Sequence, residues 1–355
     1  MGPSGPRQHD DSGHWFVMSP KRADQTSSQK SAGTGCQAQI PGPSGGGRSL
    51  PKIVSLFSGA GGLDLGFRNA DFPVAFAVDL SPAAIRTHRR NFIDTVSVAA
   101  DLEKLGPDGV LARLKDLLTP GEPIGVIGGP PCQGFSRANT GSATNDPRNQ
   151  LPLLYLRIVE ALQSEYRVEF VLFENVVGIR DAKHAVTFRG ITSKFNEIGL
   201  TPVVDDYSAL DFGVAQTRNR VIIAGFRDEA VARGFNPIKA APKGLTVRSV
   251  IGDLPEPMFF ARDLEKPAIP HHENHWTMRP VSKRFSAPGG AQRAGRSFRR
   301  LEWDKPSPTV AYGHREIHVH PDGRRRLSIF EAMRLQGFPT DFVLEGTFSS
   351  QVEQV

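Results

Sequence analysis

From Ile53 onward, apolar residues fall in short runs separated by longer stretches with helical spacing. Ile53-Val54-Ser55-Leu56-Phe57 reads as a strand, followed by a glycine-rich turn and a helix around Leu63 to Asn69. Val74 to Val78 predicts a second strand ending in Asp79. Pro82 then stands at the first turn of a helix running towards Asn91, a position that tolerates proline. Val96 to Ala100, closed by Asp101, predicts a third strand. Ile124 to Ile127, closed by Gly128-Gly129-Pro130-Pro131-Cys132, predicts a fourth. Helices are expected around Val110 to Leu118 and over Leu151 to Leu162, and further strands at Phe170 to Phe173 and Arg220 to Phe226. This alternation predicts an α/β fold, a doubly wound, mostly parallel sheet with helices on both faces.

The pattern fails at both flanks. Residues 1–50 are rich in Gly, Ser, Pro and Gln and carry no lasting period, so they read as a flexible tail containing an inert Cys36. Beyond Arg227, Pro, Gly, His and Arg dominate to about Arg300. This predicts a small irregular second domain over 228–300, after the 51–227 domain. Residues 301–355 would lead the chain back, with an amphipathic helix at Ser328 to Gln336.

Composition narrows the function. The chain has 355 residues, of which 39% are hydrophobic and 23% charged, a globular balance. No apolar run reaches the ~18 residues of a membrane helix, and no secretory signal is visible, so a cytoplasmic location is expected. Cys36 and Cys132 are the only cysteines, which excludes a disulfide scaffold and a cysteine-rich zinc module. A net charge of +6 hints at a polyanionic partner.

Four motifs carry chemistry. Phe57-Ser58-Gly59-Ala60-Gly61-Gly62-Leu63 lets a ligand approach the backbone at a helix start, although such a turn is equally a simple strand-to-helix connection. Asp79 and Asp101, at the ends of the next two strands, could grip a nucleoside, and the absence of a Gly-Lys-Ser/Thr sequence disfavours a triphosphate. Two prolines hold Cys132 at a rigid turn among Gln133, Gly134 and Ser136, a setting for a nucleophile rather than a core cysteine. Glu174, in Phe173-Glu174-Asn175-Val176, stands at the end of an apolar strand. Burial there would favour its protonated form; pairing with an arginine is the plainer alternative. Arg218 and Arg220, in Gln216-Thr217-Arg218-Asn219-Arg220, suit contacts to an anion or a base carbonyl.

In this order the four motifs closely resemble the DNA cytosine-5 methyltransferases, of the bacterial restriction-modification type. The match runs from Ile53 to Phe226 and resumes at Lys305-Pro306-Ser307-Pro308-Thr309-Val310 and from Arg326 to Pro339. The resemblance implies a Rossmann-like fold, S-adenosyl-L-methionine as cofactor and double-stranded DNA as substrate. Phe57 would stack near the adenine, Gly59, Ala60 and Gly62 would line the methionine end, Asp79 would hold the ribose and Asp101 the adenine amine, with Pro131 beside them. Cys132 would add to C6 of a flipped cytosine, Glu174 would act at N3 and Arg220 at the base carbonyl, with Arg218 a second candidate. Gln133, Ser136 and Asn175 would contact the substrate, and the loop to Arg148 would close over it.

Sequence choice is expected from the basic segment before Arg300, where Arg279, Lys283, Arg284, Arg293, Arg296, Arg299 and Arg300 can pair phosphates. Six of ten histidines lie between His271 and His320; the spacing of His271 and His275 resembles a metal pair, but ordinary loop polarity is preferred and no metal is assigned. The family ordinarily continues with a Gly-Asn-Val motif beyond the point where this sequence stops. The expectation is therefore a fragment, a frameshifted product or one part of a split enzyme needing a second polypeptide. A cognate restriction endonuclease would be the genetic partner. An RNA cytosine-5 methyltransferase and a non-catalytic DNA-binding remnant stay open.

Overall fold

The computed structural model describes residues 49–131, 150–239, 244–265, 268–292, 298–309 and 318–355. The tail with Cys36, the segment bearing Cys132, Gln133 and Ser136 through Arg148, and Arg293, Arg296 and Val310 lie outside the described residues.

Seven strands form one sheet: β1 (Lys52–Leu56), β2 (Val74–Asp79), β3 (Val96–Ala99), β4 (Pro123–Gly128), β5 (Arg167–Val176), β6 (Thr201–Ser208) and β7 (Asn219–Phe226). Their order is β3-β2-β1-β4-β5-β7-β6. The first five run parallel, and β7 is antiparallel to both β5 and β6. The chain winds outward from β1 to β3 and then crosses back to β4. The carboxyl ends of β1 and β4 thus flank the switch point where such sheets bind ligands.

Alternation along the strands explains the two layers. Val54, Leu56, Phe76, Val126, Val171 and Phe173 join one core with α3 (Leu102–Leu114), α4 (Leu151–Leu162) and α5 (Ala185–Glu197). Ile53, Val74, Ile127, Phe170 and Leu172 face the other way, towards α1 (Gly62–Asn69) and α6 (Glu229–Gly234). Tyr155 of α4 is fully enclosed, and its hydroxyl donates to the carbonyls of Val126 and Leu172, 3.1 Å away in each case. Burial pushes this phenol well above its ordinary range.

Most expected elements appear, with three differences. The helix expected over Val110 to Leu118 begins at Leu102, capped by Asp101, and is broken at Gly106, whose φ of 61° precedes Pro107. The strand at Phe170 to Phe173 extends to ten residues, from Arg167 to Val176. Helix α5 and strand β6 were not anticipated: β6 carries Pro202 and two exposed acids, Asp205 and Asp206. Those residues carry no apolar alternation that would signal a strand, but they suit an edge strand, where proline and charge deter pairing with another chain.

The irregular segment contains α7 (Val247–Ile251) and a two-stranded pairing of Met258–Phe259 with Trp276–Thr277. Val247 and Ile251 pack against Leu327 and Leu335, while Ile269 and Trp276 pack against Met333, Phe342 and Leu344. Residues 247–251 and 269–276 thus share their cores with α8 (Ile329–Leu335) and the extended chain before α9 (Phe348–Gln354). Two asparagines clamp that extended chain. Asn91 of α2 (Pro82–Asn91) accepts from Val343 N–H and donates to its carbonyl, and Asn274 does the same to Leu344. Arg325, only 4% exposed, makes a bidentate pair with Glu331 at 2.8 Å on both branches and reaches Glu256 at 3.0 Å. Glu331 also closes the Ser328 capping box of α8. No helix among the described residues is long and apolar enough to cross a membrane.

Two outcomes follow from this packing. Asn274→Ala leaves the buried N–H and C=O of Leu344 unpaired and should cost roughly 2–4 kcal/mol in urea unfolding. Burial pushes His272, stacked on Phe330 at 4.1 Å, down from 6.5 to about 4. As the pH falls the unfolded chain takes up this proton first, so the neutral ring's contribution is complete above about 6.5 and lost towards about 4. Urea midpoints should drop across that window, and less steeply in His272→Asn, which keeps an acceptor for the Asn274 N–H.

Candidate active site

The carboxyl end of β1 runs directly into a turn that few side chains tolerate. Phe57 has φ 55° and Gly59 φ 55°, and Gly61 has φ 95° as the residue before α1. A left-handed phenylalanine is uncommon and is held here by its surroundings. Ser58 N–H donates to the Val78 carbonyl at 3.1 Å, and Gly61 N–H closes the turn onto the Ser58 carbonyl at 3.0 Å. Ala60 is buried against Leu65 and Phe92.

Asp79 works on the same loop. Its Oδ2 accepts from Gly59 N–H at 2.9 Å and its Oδ1 from Ser81 N–H at 2.8 Å. The carboxylate thus fixes the glycine turn, while each oxygen keeps a lone pair. Leu80, the next residue, is 69% exposed, a large aliphatic side chain standing in solvent at this rim. Sequence reading passed over Leu80; its one signal is an aliphatic residue immediately after a strand-terminal acid. Asp101 caps α3 through the Glu103 N–H at 2.9 Å.

Phe338 was also missed. A Cβ built on Gly62 would stand 3.5 Å from its ring, so the Gly337-Phe338-Pro339 segment abuts the glycine turn across nearly the whole chain. In front of Gly59 there is open space: a Cβ there meets nothing within 4 Å. The Ser58 hydroxyl, close by, is buried without a hydrogen-bond partner among the described residues. An open cradle lined by backbone N–H groups, one carboxylate and an exposed aliphatic fits a nucleoside ligand with an amino-acid end.

Strands β5 and β7 supply the second group. Their register pairs Glu174 with Ile222 and Val176 with Arg220, which makes Glu174 and Arg220 diagonal neighbours on one face. Arg220 Nε lies 2.7 Å from Glu174 Oε1, with the two side chains 19% and 29% exposed. Of the readings open at position 174, the arginine pairing is therefore the one present, in place of an isolated buried carboxylate. Glu174 is half-exposed and already paired, because the antiparallel register delivers an arginine to it. Glu174 also stands against β4: a Cβ on Gly129 would fall 2.9 Å from Oε2. Arg218 lies two residues before Arg220, half-buried, its carbonyl accepting from Ala209 N–H at 2.9 Å.

Asn175 does not face the cleft. It is 1% exposed; its amide donates to the Pro130 carbonyl at 3.3 Å and its Oδ1 accepts from Val176 N–H. The Pro130 hydrogen bond tethers β5 to the proline pair after β4. Pro131, exposed, is the last described residue before Cys132. The structure thus gathers Phe57, Gly59, Ala60, Gly62 and Asp79 on one side of the switch point and Pro131, Glu174 and Arg220 on the other.

Two other features are distinct from this site. A surface cavity of about 400 Å³ lined by Lys52, Arg68, Phe72 and Thr95 lies at the amino ends of β1 to β3, the opposite edge of the sheet. His275 has both ring nitrogens engaged, with Ser328 Oγ at 3.0 Å and the Pro255 carbonyl at 2.7 Å, which leaves none for a metal.

Comparison with known proteins gives the family. Residues 51–355 match the C-5 cytosine-specific DNA methylase family. The Type II methyltransferase M.MthTI of Methanothermobacter thermautotrophicus is 33% identical over 312 residues, covering 82% of this chain and 87% of that one. M1.HphI of Haemophilus parahaemolyticus, also a Type II methyltransferase, is 33% identical over 317 residues, covering 85% and 81%. A crystal structure described as a DNA modification methyltransferase encoded within an E. coli prophage superposes with a TM-score of 0.66 at 26% identity, covering 86% and 93%. Spodoptera frugiperda DNMT2, at 17% identity and a TM-score of 0.56 over 86% and 94%, shares the fold. With the family match spanning every strand of the sheet and both halves of the cleft, the chain belongs to the C-5 cytosine-specific DNA methylases and is a DNA cytosine-5 methyltransferase.

Proposed function

We propose that the protein methylates C5 of a cytosine extruded from a specific double-stranded DNA sequence, as the modification partner of a restriction endonuclease. The Glu174–Arg220 pair beside the Gly129-Pro130-Pro131 turn carries this reading. S-adenosyl-L-methionine, when bound, supplies an electrophilic methyl group on a sulfonium. Phe57, Gly59, Ala60 and Gly62 would hold its adenine and methionine ends, Asp79 its ribose and Asp101 its adenine amine. Leu80 would cover an apolar face of the base.

Cytosine C5 is a poor nucleophile on its own. The thiolate of Cys132 forms a bond to C6, and the displaced electron pair makes C5 the nucleophilic carbon that receives the methyl group. As the base enters and draws Arg220 to its carbonyl, Glu174 takes up a proton from solvent and donates it in a hydrogen bond to N3, where negative charge develops. Loss of the C5 proton to a base then expels the thiolate and restores the aromatic ring. Arg220 has a second task between turnovers, since it neutralises Glu174 while no base is in place. A charged pair already formed needs no rearrangement of the sheet when the base enters; the base inserts between or beside existing partners. Extrusion from the duplex costs a few kcal/mol of stacking, which contacts from the basic residues near Arg279 to Arg300 would offset.

Transfer of labelled methyl to duplex DNA, with hydrolysis to nucleosides to locate 5-methylcytosine, tests the assignment. Cys132→Ala should abolish transfer while leaving S-adenosylhomocysteine binding within about twofold, and retained transfer would refute the nucleophile. Glu174→Gln should slow transfer by ~10²–10³. Arg220→Ala should slow it more than Arg218→Ala, and the reverse order would exchange their roles. Methylation of tRNA in preference to duplex DNA would overturn the substrate.

A further inference from the structure

Beneath the glycine turn lies a fully enclosed polar chain that the chemistry above does not use. His88 of α2 points Nε2 at Asp64 Oδ1, 3.3 Å away in α1, and Nδ1 at Ser97 Oγ, 2.8 Å away in β3. His88 and Asp64 are 0% exposed and Ser97 5%, so the three do not form a hydrolytic site despite their residue types, because no substrate reaches Ser97. Phe92 stacks on the imidazole at 4.2 Å, and the pair forms the floor of the turn. A Cβ on Gly61 would fall 2.5 Å from Phe92 and 2.9 Å from His88.

The position of Asp64 is the unusual part. It is the third residue of α1, where an acidic side chain ordinarily folds back onto the free N–H groups of the first turn. Here one oxygen is drawn inward by His88 and the other, Oδ2, is buried with no hydrogen-bond partner among the described residues. Among the described residues, no side chain caps the first turn of α1, whose amino end follows the open space before Gly59.

We propose that His88 is a positioning residue for the cofactor: by holding Asp64 inward and bracing α1 against β3, it reserves the amino end of α1 for the carboxylate of the methionine moiety. This rests on the S-adenosylmethionine reading above. Elementary electrostatics gives the reason, since a carboxylate released from His88 competes with an anionic ligand for the same helix terminus and repels it. The bridge also joins α1, α2 and β3, which follow Gly59, follow Asp79 and precede Asp101 in the chain, so one side chain helps to set the spacing of these three positions.

The test is a double-mutant cycle on the purified protein, read by calorimetric binding of S-adenosylhomocysteine and by anisotropy with duplex DNA. His88→Phe keeps the ring stack and loses both hydrogen bonds; it should weaken S-adenosylhomocysteine about tenfold while changing DNA affinity less than about twofold. Asp64→Ala added to His88→Phe should recover most of the lost affinity, although it restores no hydrogen bond. A double variant as weak as the single would show that the bridge acts only as a brace and would overturn the proposal. Asp64→Asn alone should bind at least as tightly as wild type, and a tenfold loss would also overturn it, even if His88→Phe fails to fold. Wild-type protein that binds no S-adenosylhomocysteine would instead remove the cofactor reading itself.

Discussion

The register between β5 and β7 is the constraint on which the site depends. Because side chains alternate along a strand, Glu174 and Arg220 share a face only while Glu174 stands opposite Ile222. A slip of one residue would send the guanidinium to the far side of the sheet and bury the carboxylate without a partner. The register is not free to slip, since it also puts Phe173 into one core and Leu172 and Ala224 into the other. Packing energy spread over the two faces thus sets the position of one ion pair. The pair itself, one contact against two packed faces, follows the register and does not set it.

The same logic governs the cofactor side. The glycine turn makes few hydrogen bonds of its own, and its unusual dihedrals at Phe57 and Gly59 are maintained from outside. Asp79 holds it from β2, the His88–Phe92 stack supports it from below and Phe338 abuts it from the other end of the chain. Each support reaches the turn from an element whose main contacts lie elsewhere. Backbone strain of this kind persists only where several rigid neighbours agree on it.

The carboxyl-terminal segment is bound to the sheet domain by amide side chains as much as by apolar area. Asn91 and Asn274 each satisfy the N–H and the C=O of one residue in an extended segment that has no sheet partner among the described residues. Buried peptide groups without such partners would be costly. Arg325 is similarly expensive to bury alone, and Glu331 and Glu256 make its burial possible. The irregular segment and the returning chain are thus joined by polar contacts as well as by shared cores.

The sequence by itself determined the alternating α/β pattern, the elements from β1 to α4 and the motifs at the strand ends. Those features are local: a run of apolar residues, a helix-compatible proline, a glycine that only a turn requires. It did not determine that Glu174 is paired, that Asn175 bonds the Pro130 carbonyl, or that Phe338 abuts the glycine turn, because each of these is a relation between residues far apart in the chain. Helix α5 and edge strand β6 escaped notice for a related reason. Their polar residues are acceptable only because one face is covered by the sheet and an edge needs charge. Tertiary structure alone decided which side chains share a face, since register and crossover are fixed by packing over the whole sheet.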